Sequence, residues 1–138
     1  MILVMDTASE NVFIGLWDEE SSTWKQNEIF VGGRELNSLI IKKLDITFSN
    51  SQEFENELIG IIVAAGPGSF TGLRIGMSVA NTIAYVRDIP IVAVPDTKDV
   101  EDLLQKGQAM LKSRGESFEE AVTPHYGSEP HITIPKKG

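Results

Sequence analysis

Ala64-Ala65-Gly66-Pro67-Gly68-Ser69-Phe70-Thr71-Gly72-Leu73-Arg74-Ile75-Gly76 carries the chain from a buried strand, through a sharp turn, into a helix with one nearly bare edge. The residues leading in, Leu58 to Ala65 (LIGIIVAA), are apolar throughout, which suits a strand covered on both faces. Gly66-Pro67-Gly68 breaks that strand, because Pro lacks an N–H and Gly tolerates positive φ. Ser69 or Thr71 can cap the helix that runs on to about Arg87. Within it Gly72, Gly76, Ala80 and Ala84 recur every four residues and form one slanting ridge. Two glycines inside a helix cost roughly 1 kcal/mol each relative to Ala, so something must need the space they leave. Two surfaces fit: the protein's own sheet, since helix–sheet packing also uses small residues, or a helix of another chain. Both remain open at this level.

Other readings of the loop fail on spacing. A phosphate loop needs Lys after its last Gly, and Leu73 follows Gly72. Gly66, Gly68 and Gly72 are one residue out of register with the dinucleotide fingerprint. A nucleophile elbow on Ser69 needs Gly at 67 and 71, where Pro67 and Thr71 stand. Free N–H groups at the helix start can still hold an anion.

The 138 residues suffice for one core burying roughly 68% of the unfolded surface. With no cysteine there is no disulfide, thiolate nucleophile or thiolate metal ligand. The N-terminal apolar residues lack a preceding positive charge, and no apolar run approaches a membrane span, so no signal peptide or membrane association is expected and the cytoplasm is the default. A net charge of −8, with Lys42, Lys43, Arg74 and Arg87 scattered, argues against independent nucleic-acid binding.

Three strands come first: Met1 to Asp6, Asn11 to Trp17 and Thr23 to Val31, the last more polar and nearer a sheet edge. Arg34 to about Phe48 is helical by period, with Leu36, Leu39, Ile40, Leu44 and Phe48 on one face. Ile41 falls off that stripe, which makes the helix apolar over more than one face. A polar loop, Asn50 to Asn56, precedes the buried strand and the small-residue helix. Ile91 to Val94 is a short buried strand, and a third helix starting from Thr97 or Asp99 turns Val100, Leu103, Leu104 and Leu111 inward. The order β-β-β-α-β-α-β-α predicts an α/β fold: three antiparallel strands, then parallel ones reached by helical crossovers. The mixed five-stranded sheet is RNase H-like. Residues 1–113 are expected to form this single lobe and 114–138 an extended tail.

Asp6-Thr7-Ala8-Ser9, Gly15-Leu16-Trp17 and above all the run Gly66 to Gly76 resemble the TsaB family, also called YeaZ. The likeness covers roughly residues 1 to 97, with a weaker echo at Pro124-His125-Tyr126. It implies an actin/Hsp70-like superfamily fold and a non-catalytic dimerisation subunit of the bacterial machinery that makes threonylcarbamoyladenosine in tRNA. It further implies contact with the catalytic paralogue TsaD, a TsaE-like ATPase in the same complex, and a homodimer in isolation. No cofactor, metal or catalytic residue is implied for this subunit. The implied partner surface lies on the helices Arg34 to Phe48 and Ser69 to Arg87, at Leu36, Leu39, Ile40, Ser69, Phe70, Gly72, Leu73, Gly76, Ala80 and Ala84. Two departures stand out. The family has two lobes, and after about Asp96 only one helix and a tail follow here, so the second is expected to be missing or reduced. The first helix, commonly opened by a His in the family, begins Arg34-Glu35-Leu36.

Other functions are weaker. In an actin-like phosphotransfer enzyme Asp6 and Thr7 would hold metal and phosphate, but such sites close between two lobes. Asp6 reads more simply as a strand-end residue binding local N–H groups. An RNase H-like nuclease needs several carboxylates around two metals; the fourth strand ends in Ala64-Ala65-Gly66, leaving Asp96 as the only other strand-end acid. A metalloprotease needs clustered His ligands, whereas His125 and His131 are both in the tail, off the i, i+4 spacing, and expected to be exposed.

Overall fold

The computed structural model describes residues 1–49 and 57–125. The loop expected at Asn50 to Asn56, together with Tyr126, His131 and the rest of the tail, lies outside the described residues. Strands β1 (Ile2–Asp6), β2 (Asn11–Asp18), β3 (Thr23–Val31), β4 (Gly60–Gly66) and β5 (Ile91–Pro95) form one sheet in the order β3-β2-β1-β4-β5. The first three pair antiparallel, and β1, β4 and β5 pair parallel, as the crossovers require. The helices are α1 (Leu36–Ser49), α2 (Phe70–Arg87) and α3 (Val100–Lys112).

α1 and α2 cover one face of the sheet, where they meet Leu3, Met5, Ile14, Leu16, Ile61 and Val63. α3 covers the other, and Leu103 and Leu104 pack with Ile2, Val4, Ile62, Val92 and Val94. Coverage on both sides is why β1 and β4 are apolar without alternation. β3 is the edge strand, and its residues alternate between half-buried and exposed.

Two expected boundaries shift. β4 begins at Gly60 rather than Leu58, because Ile59 donates its N–H to the Met1 carbonyl and turns its side chain out, 56% exposed. The first helix opens with a 3-10 turn, Gly33–Glu35, and becomes α-helical only at Leu36. Its lead-in, Gly33, has positive φ.

Among the described residues beyond α3 there is no helix or strand, yet residues 114–125 pack on the lobe. Phe118 and Val122 join the α1–α2 core, and the His125 N–H bonds the Ala65 carbonyl at 2.7 Å.

Candidate interaction surface

Two strand-end turns meet above the sheet. After β1, the Asp6 carboxylate accepts the Ala8 N–H at 2.9 Å, the local role expected of it. After β4, Gly66 adopts φ +105° and its carbonyl accepts the Asp96 N–H; the Gly66–Pro67 bond is cis. The turns press together: a Cβ on Gly68 would lie 2.7 Å from that of Ala8. The Ser69 N–H bonds the Ala8 carbonyl at 2.7 Å, and the Ser69 hydroxyl accepts the Gly72 N–H at 3.1 Å, capping α2. The Ser69 and Gly72 N–H groups at the helix start are thus bonded within the chain. Asp6 closes β1 and Asp96 follows β5, strands separated by β4 and so two strand spacings or about 10 Å apart. The described residues contain no group of three or more His, Asp or Glu placed to hold a metal.

The small-residue ridge faces inward. A Cβ on Gly72 would lie 2.5 Å from the Thr7 carbonyl oxygen, and one on Gly76 would lie 2.7 Å from the Thr7 methyl. Thr7 is buried, and Ala80 and Ala84 have no exposed surface. The backbone that approaches closely is the chain's own β1 turn. The partner reading of Gly72, Gly76, Ala80 and Ala84 is therefore corrected to internal packing. Leu73, Leu36 and Ile40 are likewise buried against the sheet and present nothing to a partner. Of the residues placed on the partner surface, Ser69 and Phe70 are exposed and Leu39 is half-buried.

Both helices have an outer side as well, and large apolar side chains stand on it among polar ones such as Lys42, Asp45, Ser78 and Thr82. Ile41 is 55% exposed, Phe70 55%, Tyr85 71% and Val86 73%. Between α1 and α2 runs a shallow groove of about 410 Å³, lined by Ile41, Leu44, Phe48, Val79, Thr82 and Ile83 among others. A second hollow of about 360 Å³ continues towards Phe70, Arg74 and Asn37. Cations frame this floor: Arg74 stands 5.1 Å over the Phe70 ring and Arg87 5.9 Å over Phe48. A largely apolar floor with a charged rim is what a protein-binding face looks like chemically. Ile41's place off the apolar stripe was the sequence signal for this face. Val79 and Ile83 lie beside the small-residue ridge on the same helix, half-buried between the core and the groove, and no sequence pattern marks them as groove-lining.

The family model for TsaD, tRNA N6-adenosine threonylcarbamoyltransferase, matches residues 33–100. The chain is 38% identical over 68 residues to the Bacillus subtilis tRNA threonylcarbamoyladenosine biosynthesis protein TsaB, covering 49% of this chain and 25% of that protein. It is 30% identical over 94 residues to the Escherichia coli TsaB, covering 67% of this chain and 39% of that protein. In fold it is similar to YeaZ from Pseudomonas aeruginosa, with a TM-score of 0.61 and 24% identity over 69% of this chain and 43% of that one. The matched region thus spans between a quarter and two fifths of the length of these two curated relatives.

Proposed function

Since this chain belongs to the TsaB/YeaZ family, we propose that it is a non-catalytic scaffold subunit in the synthesis of N6-threonylcarbamoyladenosine in tRNA. In this reading the outer face of α1 and α2 docks the catalytic TsaD-type paralogue, a TsaE-type ATPase joins the same complex, and the isolated chain pairs with itself. One observation carries it: the two adjacent helices leave Ile41 and Phe70 exposed along two adjoining hollows that share Ser78 and the half-buried Val79, with Tyr85 and Val86 exposed farther along the second helix. Isolated exposed apolar residues are ordinary on a soluble protein, but a contiguous patch marks an interface. A non-catalytic role agrees with Asp6, whose carboxylate is engaged by its own turn. In this reading the complex works in the cytoplasm, where tRNA is modified.

The test is co-purification with the host's TsaD-type protein, wild type against Ile41→Glu. The wild type is expected to retain the partner and the variant to lose it by at least tenfold. Equal capture by both would remove the α1–α2 face from the reading.

A further inference from the structure

We propose that Phe118–His125 is a releasable strap on the flank of α2 away from α1, and that a partner covering Tyr85 holds it closed. The segment makes backbone bonds as a bound peptide does. The Asn81 carboxamide grips Val122 in both directions, its Nδ2 donating to the Val122 carbonyl at 3.0 Å and its Oδ1 accepting the Val122 N–H at 2.9 Å. The Phe118 N–H donates to Asp88 Oδ1 at 3.0 Å, and the His125 N–H to the Ala65 carbonyl at 2.7 Å. The His125 carbonyl lies where a Cβ on residue 66 would come within 2.5 Å, so Gly66 makes room for the strap's end. Phe118 and Val122, four residues apart, are both half-buried against the core.

Release would leave the sheet intact. No strand ladder includes these residues, and the chain before them passes through Gly115, beside which only the Glu119 carboxylate comes within 4 Å of a Cβ position. A segment anchored by a few exposed or half-exposed bonds opens as a local unit, well below the cost of global unfolding. Tyr85 links the strap to the outer face. Its ring stands edge-on to Phe118, 5.6 Å between centroids, while 71% of the residue remains open to solvent. A partner that covers Tyr85 also covers this contact, and so favours the closed strap. By reciprocity the closed strap favours the partner. This coupling rests on the partner reading above; the strap does not.

Amide hydrogen exchange on the full chain tests both. In the free protein Phe118, Val122 and His125 should exchange with one common protection factor, at least a hundredfold below that of β4 amides such as Ile62. Asn81→Ala should speed all three about tenfold, the loss of a paired hydrogen bond, and leave β4 unchanged; Phe118→Ala, at a half-exposed ring, should do the same. Strap amides that exchange only together with β4, or a variant effect confined to Val122, would overturn the strap. Adding the TsaD-type protein should slow the three amides further, and binding without added protection would overturn the coupling. No binding at all would sink the partner reading and the coupling with it, while the free-chain rates still decide the strap.

Discussion

Thr7 and Gly76 are 69 residues apart in sequence, and their contact sets how close α2 lies to the sheet. Alanine at 76 gains roughly 1 kcal/mol of helix propensity, but its Cβ meets a buried Thr7 side chain rather than a flexible tip. Overpacking of this kind costs about 1–3 kcal/mol. Gly76→Ala is therefore expected to lower stability by about 1 kcal/mol net, read as a reduced denaturant midpoint with unchanged slope. Ala80→Leu, at a site with no free surface, should be worse and should act on folding before association. A second residue-scale effect is electrostatic. Asp99 caps α3 by accepting the Asp102 N–H at 2.8 Å. Asp102 in turn is held below the ordinary aspartate value of 3.8, first by the Lys98 N–H at 3.0 Å and then by the Lys106 ammonium at 3.1 Å. A depressed carboxylate stabilises above its unfolded pKa of about 3.9, and the contribution fades as pH falls through the folded value. An NMR titration of Asp102 should give a midpoint below 3.8; one at or above it would show that these bonds do not persist in solution.

At the scale of the element, α1 and α2 each have two apolar sides with different uses. Leu36 and Ile40 of α1 and the ridge of α2 face the sheet, while Ile41, Val79 and Ile83 line the groove outside, with the buried Leu44 at its floor. Because Ile41 is 55% exposed, Ile41→Glu should change stability by no more than about 0.5 kcal/mol. Lost partner capture at an unchanged melting temperature would then report on the surface and not on the fold. Much of this was legible beforehand. The succession of strands and helices along the chain and the parallel and antiparallel halves of the sheet follow from apolar runs, turn residues and crossover rules; the spatial order β3-β2-β1-β4-β5 is seen only in the structure. The ridge itself was legible; its direction was not. Periodicity places Gly72, Gly76, Ala80 and Ala84 on one line, but it carries no information about what lies opposite. That depended on Thr7, a polar residue in a distant turn, whose burial no local pattern announces. Residues 114–125 were hidden for a similar reason: they are held by single side chains of α2, above all Asn81, rather than by a repeat.

Among the described residues the lobe closes its core with its own elements, and the outer α1–α2 face is one of the apolar surfaces left open, alongside Ile29 and Val31 on the β3 edge and Ile59 before β4. α2 has 18 residues, so this face is about 27 Å long, and two neighbouring helices make it about 20 Å wide. Its projected area, about 500 Å², is of the order of one side of a standard interface, which buries about 800 Å² per partner. Such a face takes one partner at a time. If the isolated chain pairs through it, self-pairing and binding of the TsaD-type paralogue exclude each other. Light scattering of the chain alone at micromolar concentration should give a dimer mass, and Ile41→Glu should give a monomer. Titrating in the TsaD-type protein should then convert dimer to a one-to-one heterodimer, with no species holding two copies of this chain and one of the partner. The apparent affinity for the partner should weaken as total chain concentration rises, because each heterodimer must first dissociate a homodimer. A ternary mass, or an affinity independent of chain concentration, would show that the two associations use different surfaces and that the α1–α2 face serves only one of them.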